Sequence, residues 1–101
     1  MSDNTLTLPQ VEPAALLCPD CQEPTLDHDQ VTVFTRAQED GHGISTRIEN
    51  GAVTSMPDEM MTGNPSERRN GLVVRLRCLN CGARPYLELF QHKGSTYLGF
   101  I

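Results

Sequence analysis

The sequence predicts a small, mainly β domain in which an antiparallel sheet carries two Cys-x-x-Cys motifs and an inserted β-hairpin. Three observations predict this fold class. Apolar and polar residues alternate with a period of two in several segments, and Asn-Gly or Lys-Gly pairs separate such segments. No segment has the length and spacing of an amphipathic helix. With 101 residues and 11.2 kDa, the chain has room for one core only.

The N-terminal segment does not look like part of that core. Residues 1–15 are mostly polar and include Pro9 and Pro13, so we expect a flexible tail followed by a single domain over residues 16–101. The segment has neither the charge nor the apolar run of a secretion signal, and no stretch approaches the length of a membrane span. These features favour a cytoplasmic protein with no membrane partner, in which thiols stay reduced.

Large apolar side chains are scarce. Leu, Ile, Val and Phe together make up 23 of the 101 residues, and eleven of these lie in residues 72–101. Residues 37–71 contain only three. A chain this poor in apolar residues usually needs a metal, a cross-link or a partner to fold stably.

Four cysteines in two Cys-x-x-Cys pairs offer that stabilisation. Cys18 and Cys21 form the first pair, and Cys78 and Cys81 form the second. Two such loops supply four thiolates for one tetrahedral ion, and Zn²⁺ suits this ligand set. A rubredoxin-like iron site uses the same ligands, so the ligands alone leave iron open. With four thiolates bound, no position is left for water, so the metal is expected to be structural.

The second pair is followed by Gly82, where a tight metal-binding loop often needs a positive φ. Gln22 stands at the equivalent position after the first pair, which predicts strain or a different loop geometry.

These two motifs, the first containing Pro19 and the second followed by Gly82 and a strand-like segment, resemble a zinc ribbon. The resemblance covers the cysteine loops and their flanking strands, about half of the chain. The segment from Cys78 to Tyr97 is also similar to small uncharacterised ribbon proteins of bacteria and their phages. Zinc ribbons serve many roles, so this resemblance implies a fold and a metal but no particular activity.

Two strands and a C-terminal hairpin are predicted near the cysteines. Residues 31–36 and 72–77 alternate with a period of two, and the second run leads directly into Cys78. Residues 85–92 and 95–101 flank Lys93-Gly94 and predict a C-terminal hairpin.

A further hairpin is predicted by Asn50-Gly51, since this pair supplies both positive φ angles of a type I′ turn. It joins residues 44–49 to 52–56 and places Ile48 opposite Val53. A long loop is expected over residues 57–71. Because 56 residues separate the two cysteine pairs, more than a ribbon requires, we interpret about residues 37–71 as an insertion between the two strands nearest the metal.

Charge is distributed unevenly along the chain. Residues 1–60 contain eleven Asp or Glu and two Arg, whereas residues 61–101 contain six Arg or Lys and two Glu. One interpretation is a basic surface for nucleic acid or an acidic partner, formed by Arg68, Arg69, Arg75, Arg77, Arg84 and Lys93. The interpretation we favour is that these residues neutralise the thiolate site and pair with the acidic half.

The sequence supports two functional hypotheses. The first is a non-enzymatic, zinc-binding protein-interaction module, a regulatory or phage-type accessory protein that contacts a larger protein. The second is a zinc ribbon associated with nucleic acid or RNA polymerase through the basic C-terminal third. No catalytic triad or phosphate-binding loop is evident, so an enzyme is not expected, although a subunit of a larger enzyme is a third alternative. Both a monomer and a homodimer fit the sequence, since an exposed sheet edge is a ready pairing surface.

The polymerase alternative draws on a second resemblance. Asp58-Glu59 is similar to the acidic hairpin tip of transcript-cleavage factors, whose paired carboxylates help to place a metal ion. Here Glu59 lies 19 residues before Cys78, about twice the spacing of that family, so we interpret the pair as a solvated loop feature.

Overall fold

Six β-strands form one antiparallel sheet in the computed structural model, which describes residues 14–38, 42–58 and 61–101. The strands are β1 Leu26–Arg36, β2 Gly43–Glu49, β3 Ala52–Asp58, β4 Gly71–Cys78, β5 Tyr86–His92 and β6 Ser95–Phe100. Their order across the sheet is β3-β2-β1-β4-β5-β6. Two three-stranded meanders therefore lie side by side, and the β1–β4 ladder joins them.

The predicted all-β fold is confirmed. The described ranges contain no helix, and hence none that could span a membrane. The predicted tail lies outside the described residues except for residues 14 and 15. Two boundaries differ from the prediction: β1 begins five residues earlier, at Leu26, and the loop predicted over residues 57–71 is shorter because β3 and β4 extend into it.

Both predicted tight turns are present. Asn50 and Gly51 have φ angles of 54° and 77°, and Lys93 and Gly94 have 50° and 84°. Two consecutive positive φ angles match the right-handed twist of the strands that a type I′ turn connects. The Asn-Gly turn gives the predicted register, with Ile48 opposite Val53.

A β-bulge at Asp29 interrupts the first strand. His28 pairs with Leu76 and Gln30 pairs with Arg75, so Asp29 is an extra residue in β1 with no counterpart in β4. Because side chains alternate between the two faces of a strand, one extra residue reverses the alternation. Leu26 consequently lies on the same face as Val31, which uninterrupted alternation would not allow.

The two faces of the sheet differ sharply in charge. The register assigns every Asp, Glu, Lys and Arg in a regular ladder position to one side, which we call the charged face: Asp27, Arg36, Arg47, Glu49, Asp58, Arg75, Arg77 and Glu88. The opposite side, the apolar face, carries Val31, Val33, Ile44, Ile48, Val53, Leu72, Val74, Leu87, Leu89, Leu98 and Phe100. Its polar strand residues, such as Thr46 and Ser55, are uncharged.

The loop over residues 61–70 packs on the charged face. Met61 and Phe34 are each only 4% exposed, and a Cβ at Gly63 would lie 3.6 Å from the Phe34 ring. The buried Ser66 hydroxyl donates to the Asn70 carbonyl oxygen and accepts a hydrogen bond from the Gln91 amide. These contacts fix the loop to the middle of the sheet.

Only a few side chains are fully buried. Among the described residues, the buried hydrophobic side chains are Cys18, Phe34, Met61, Leu76 and Cys78. Phe34 lies beneath the loop and Met61 is the first residue of that loop, whereas the other three lie in or beside the cysteine end of the sheet. The strands contact only their neighbours within the sheet, so no described strand packs over the apolar face.

Candidate metal centre

The sheet brings the two cysteine pairs to one end. Cys18 and Cys21 lie in the loop before β1, with four residues between Cys21 and the strand, and Cys78 is the last residue of β4. Since β1 and β4 are adjacent and antiparallel, the start of one lies beside the end of the other, and Leu26 pairs with Cys78. The 56 residues between the pairs therefore do not separate them in space.

Both cysteine loops have the same backbone geometry. The amide of Gln22 donates to the Cys18 carbonyl at 2.9 Å, and the amide of Gly82 donates to the Cys78 carbonyl at 3.0 Å. Both residues have a positive φ, 68° for Gln22 and 80° for Gly82. The left-handed conformation expected at Gly82 is confirmed, and Gln22 adopts the same conformation despite its side chain, which costs backbone energy.

The four cysteine sulfur atoms form one cluster. They all lie within 4.8 Å of one another. The Sγ atoms of Cys18 and Cys81 are 3.8 Å apart, and those of Cys21 and Cys78 are 3.6 Å apart. A tetrahedron with Zn–S bonds of about 2.3 Å has edges of about 3.8 Å. The cluster therefore has the size needed to hold one metal ion.

Hydrogen-bond donors surround the sulfur atoms. The amides of Asp20 and Cys81 donate to the Sγ atoms of Cys18 and Cys78, at 3.4 and 3.5 Å. The side-chain amide of Asn80 donates to Cys21 Sγ at 3.5 Å. Four thiolates and one divalent ion carry a net charge of about −2, which such donors partly offset.

The pKa of Cys78 is lowered from its ordinary value of 9.0 to about 6. The backbone amide of Cys81 contributes most, followed by the hydroxyl of Thr25, whose Oγ1 lies 3.5 Å from Cys78 Sγ. These donors outweigh desolvation, which raises the pKa. The same donors stabilise Cys78 as a thiolate ligand.

The pKa of Cys81 moves in the opposite direction, to about 12. The Ala83 amide lowers it, but desolvation and hydrogen bonds with the other three thiols together outweigh that effect. A divalent cation favours thiolate at all four positions.

Thr25 and Asn80 are part of the site that sequence reasoning missed. Asn80 lies inside the second Cys-x-x-Cys motif, so its proximity to the metal could have been anticipated. Thr25 lies four residues beyond Cys21, and its position beside Cys78 depends on the pairing of β1 with β4.

The six basic residues of the predicted surface lie in three places. Arg75 forms ion pairs with Asp29 and Glu49, as the interpretation of pairing with the acidic half expects. Arg77 is exposed on the charged face, and Arg84 follows the second cysteine loop. The remaining three line a cleft of about 280 Å³ together with an acidic and two polar residues: Glu67, Arg68, Arg69, Gln91, His92 and Lys93.

The acidic pair that resembles the tip of transcript-cleavage factors is placed differently from such a tip. Asp58 is the last residue of β3, and its carboxylate accepts a 2.7 Å hydrogen bond from the Met61 amide. This bond supports the chain where the loop over residues 61–70 begins. Glu59 lies outside the described residues.

Compared with known proteins, the chain matches no family model, no curated protein and no solved structure. The antiparallel sheet and the sulfur cluster define its class: a small all-β domain with a four-cysteine cluster that could hold one metal ion, an arrangement consistent with a zinc-ribbon-like site.

Proposed function

We propose that the protein is a non-enzymatic protein-interaction module whose fold is held by one structural Zn²⁺ on Cys18, Cys21, Cys78 and Cys81. The closed ligand set supports a structural ion, since four thiolates leave no position for a reacting water. Soft thiolate ligands and a tetrahedral arrangement favour zinc, with iron as the alternative ion.

One observation carries the proposal of protein binding: the Asp, Glu, Lys and Arg residues in the regular ladder positions all lie on one side of the sheet, and no described strand covers the other side. Ile44, Ile48 and Leu98 on the apolar face are 47%, 43% and 61% exposed. A continuous apolar surface of this kind is unusual on a monomeric soluble protein and marks an interaction site.

The inserted segment contributes to this surface. The hairpin of β2 and β3 adds Ile44, Ile48 and Val53 to the apolar face and widens the sheet from four strands to six. The insertion therefore has a physical role in the proposal, as an extension of the binding surface.

The proposal is tested by capture experiments with two matched variants. Leu89 and Tyr86 are both in β5 and both 39% exposed, but Leu89 lies on the apolar face and Tyr86 on the charged face. Tagged, zinc-loaded wild type is expected to retain a defined protein from nuclease-treated host lysate. Tyr86→Lys should retain the same protein and Leu89→Lys should lose it. Equal retention by both variants would contradict binding through the apolar face.

A nucleic-acid role is the second candidate, supported by the cleft that contains Arg68, Arg69 and Lys93. It predicts binding to a mixed-sequence DNA or RNA that weakens steeply and log-linearly with salt, because phosphate contacts release counterions. Loss of all captured material after nuclease treatment would favour this candidate. The larger protein partner expected from the sequence stays a prediction.

A further inference from the structure

We infer that the protein occupying the apolar face is a second copy of the same chain, so that two sheets stack face to face as a β-sandwich. This inference rests on the proposed function and names the partner of the same surface. It depends on the size of the apolar face and on the absence of Asp, Glu, Lys and Arg from its ladder positions. It also depends on how much of that face residues 1–13 and the loop over residues 61–70 could cover.

The size of the face suits a stable dimer. Six strands about 4.8 Å apart, each about seven residues long at roughly 3.3 Å per residue, give about 670 Å² in projection. Side chains corrugate the surface, so its accessible area is larger. Standard interfaces bury about 800 Å² on each partner, and most of the apolar face would be needed to reach that value.

The 13 residues that precede the described part are too few to cover this area. Residues 1–13 contain four large apolar side chains, Met1, Leu6, Leu8 and Val11. One extended segment covers a strip about as wide as one strand, whereas the face is six strands wide. The loop over residues 61–70 is already packed on the opposite, charged face.

Charge distribution favours self-association at this face over association elsewhere. The chain carries a net charge of −5, which opposes close approach of two copies. Stacking of the apolar faces turns both charged faces outward, and no Asp, Glu, Lys or Arg of the ladder positions enters the interface. Complementary charges usually select a different protein as partner, and this face has no such charges in its ladder positions. A second copy supplies a sheet of matching shape, and two sheets packed face to face lie about 10 Å apart.

The experiment is sedimentation equilibrium of the zinc-loaded full chain across a range of concentrations. We expect the wild type to approach twice the 11.2 kDa chain mass. Leu89→Lys should weaken dimerisation on the order of 100-fold, because each copy buries an unpaired charge. Tyr86→Lys, with the same exposure on the other face, should remain dimeric. A monomeric wild type, or equal effects of the two substitutions, would overturn the inference.

A measurement on the wild type alone avoids any dependence on variant folding. In a mixture of differently labelled chains, intermolecular NOEs are expected between the methyl groups of Val33, Val74 and Leu89. Contacts between backbone amides of two β3 strands would instead show edge pairing and overturn the stacked arrangement.

The two proposals can fail separately. A monomer that still captures a different protein through Leu89 would overturn the second-copy inference and leave the proposed function intact. A monomer whose capture of protein is unaffected by Leu89→Lys would overturn both.

Discussion

Arg75 Nε donates a 2.9 Å hydrogen bond to Asp29 Oδ1, and this ion pair joins the two central strands at the β-bulge. The Nη2 atom of Arg75 also donates to the second oxygen of Asp29 and to Glu49 Oε2, both at 3.2 Å. One guanidinium thus connects β4 to β1 and β2. The hydrogen bond from Arg75 is the main reason that the pKa of Asp29 lies below its ordinary value of 3.8.

Replacing Asp29 with Asn should lower the free energy of unfolding of the zinc-loaded protein at neutral pH. Because the pKa of Asp29 is lower in the folded state, the folded protein binds fewer protons at this site. The contribution of the Asp29 carboxylate to the free energy of unfolding is therefore complete at pH values above its ordinary pKa. It is lost as the pH falls through the lower pKa that Asp29 has in the folded protein. Denaturant unfolding at several pH values above about 5 should show a constant difference from wild type.

Asp27→Asn is the control for that prediction, since it removes an exposed carboxylate two residues away on the same strand. Its effect should be smaller. An equal effect of the two substitutions would show that general charge, and not the contact with Arg75, stabilises the sheet.

Replacing Gln22 with Gly should stabilise the protein. Gln22 has a φ of 68°, a conformation that costs a residue with a side chain about 1–2 kcal/mol. The greater freedom of Gly in the unfolded chain opposes the gain by about 0.4–1 kcal/mol. A net increase of about 0.5–1 kcal/mol is expected in chemical unfolding at saturating zinc.

Gly82→Ala is the matched substitution in the second cysteine loop and should act in the opposite direction. No atom lies within 4 Å of the position that a Cβ would occupy, so the whole penalty comes from φ, at 80°. Stabilisation by Gly82→Ala, or destabilisation by Gln22→Gly, would contradict the assignment of strain to these two positions.

Removal of the metal should unfold the sheet. The cluster supplies two of the five buried hydrophobic side chains of the described residues, Cys18 and Cys78, and a third, Leu76, lies two residues before Cys78. Metal binding free energy is therefore a large part of folding free energy. A chelator titration followed by circular dichroism should show cooperative loss of β-structure, with recovery on adding Zn²⁺.

Cys78→Ser should reproduce the effect of the chelator, whereas His42→Ala should leave stability within about 0.5 kcal/mol of wild type, because His42 is exposed outside the cluster. A Cys78→Ser protein that retains one tightly bound zinc and a cooperative transition would refute the four-cysteine site.

Replacing Asn80 with Ala should weaken Zn²⁺ binding about tenfold, since its side-chain amide donates to Cys21 Sγ. Asp20 occupies the equivalent position in the first cysteine loop, but it contacts sulfur through its backbone amide. Asp20→Ala should therefore bind zinc at least as tightly as wild type. Competition with a chromophoric chelator measures both affinities, and equal weakening by the two substitutions would contradict a specific role for the Asn80 amide.

Much of the fold could be predicted from local sequence because turn chemistry and alternation act over a few residues. Asn50-Gly51 set the register of one hairpin, and the spacing of the cysteine pairs indicated the ligand cluster. The beginning of β1 could not be predicted, because residues 26–30 are rich in polar side chains and the bulge at Asp29 breaks their alternation. The contact of Thr25 with Cys78 was also hidden, since it joins positions 53 residues apart.

The charge segregation was equally hard to predict. The sequence of each strand shows which residues share a face of that strand. Whether the charged residues of neighbouring strands lie on the same side of the sheet depends on the register in which the strands pair. Arg75 looked like part of a basic surface in the sequence because its partners, Asp29 and Glu49, lie 46 and 26 residues away.

The bulge in β1 makes chain length matter more than side-chain identity at one position. Substitution of Asp29 removes an ion pair but keeps the number of residues between the first cysteine loop and Val31. Deletion of Asp29 would instead restore strict alternation and carry Leu26 to the other side of the sheet. The loss of one codon there would separate the first cysteine pair from the second, although no cysteine had changed.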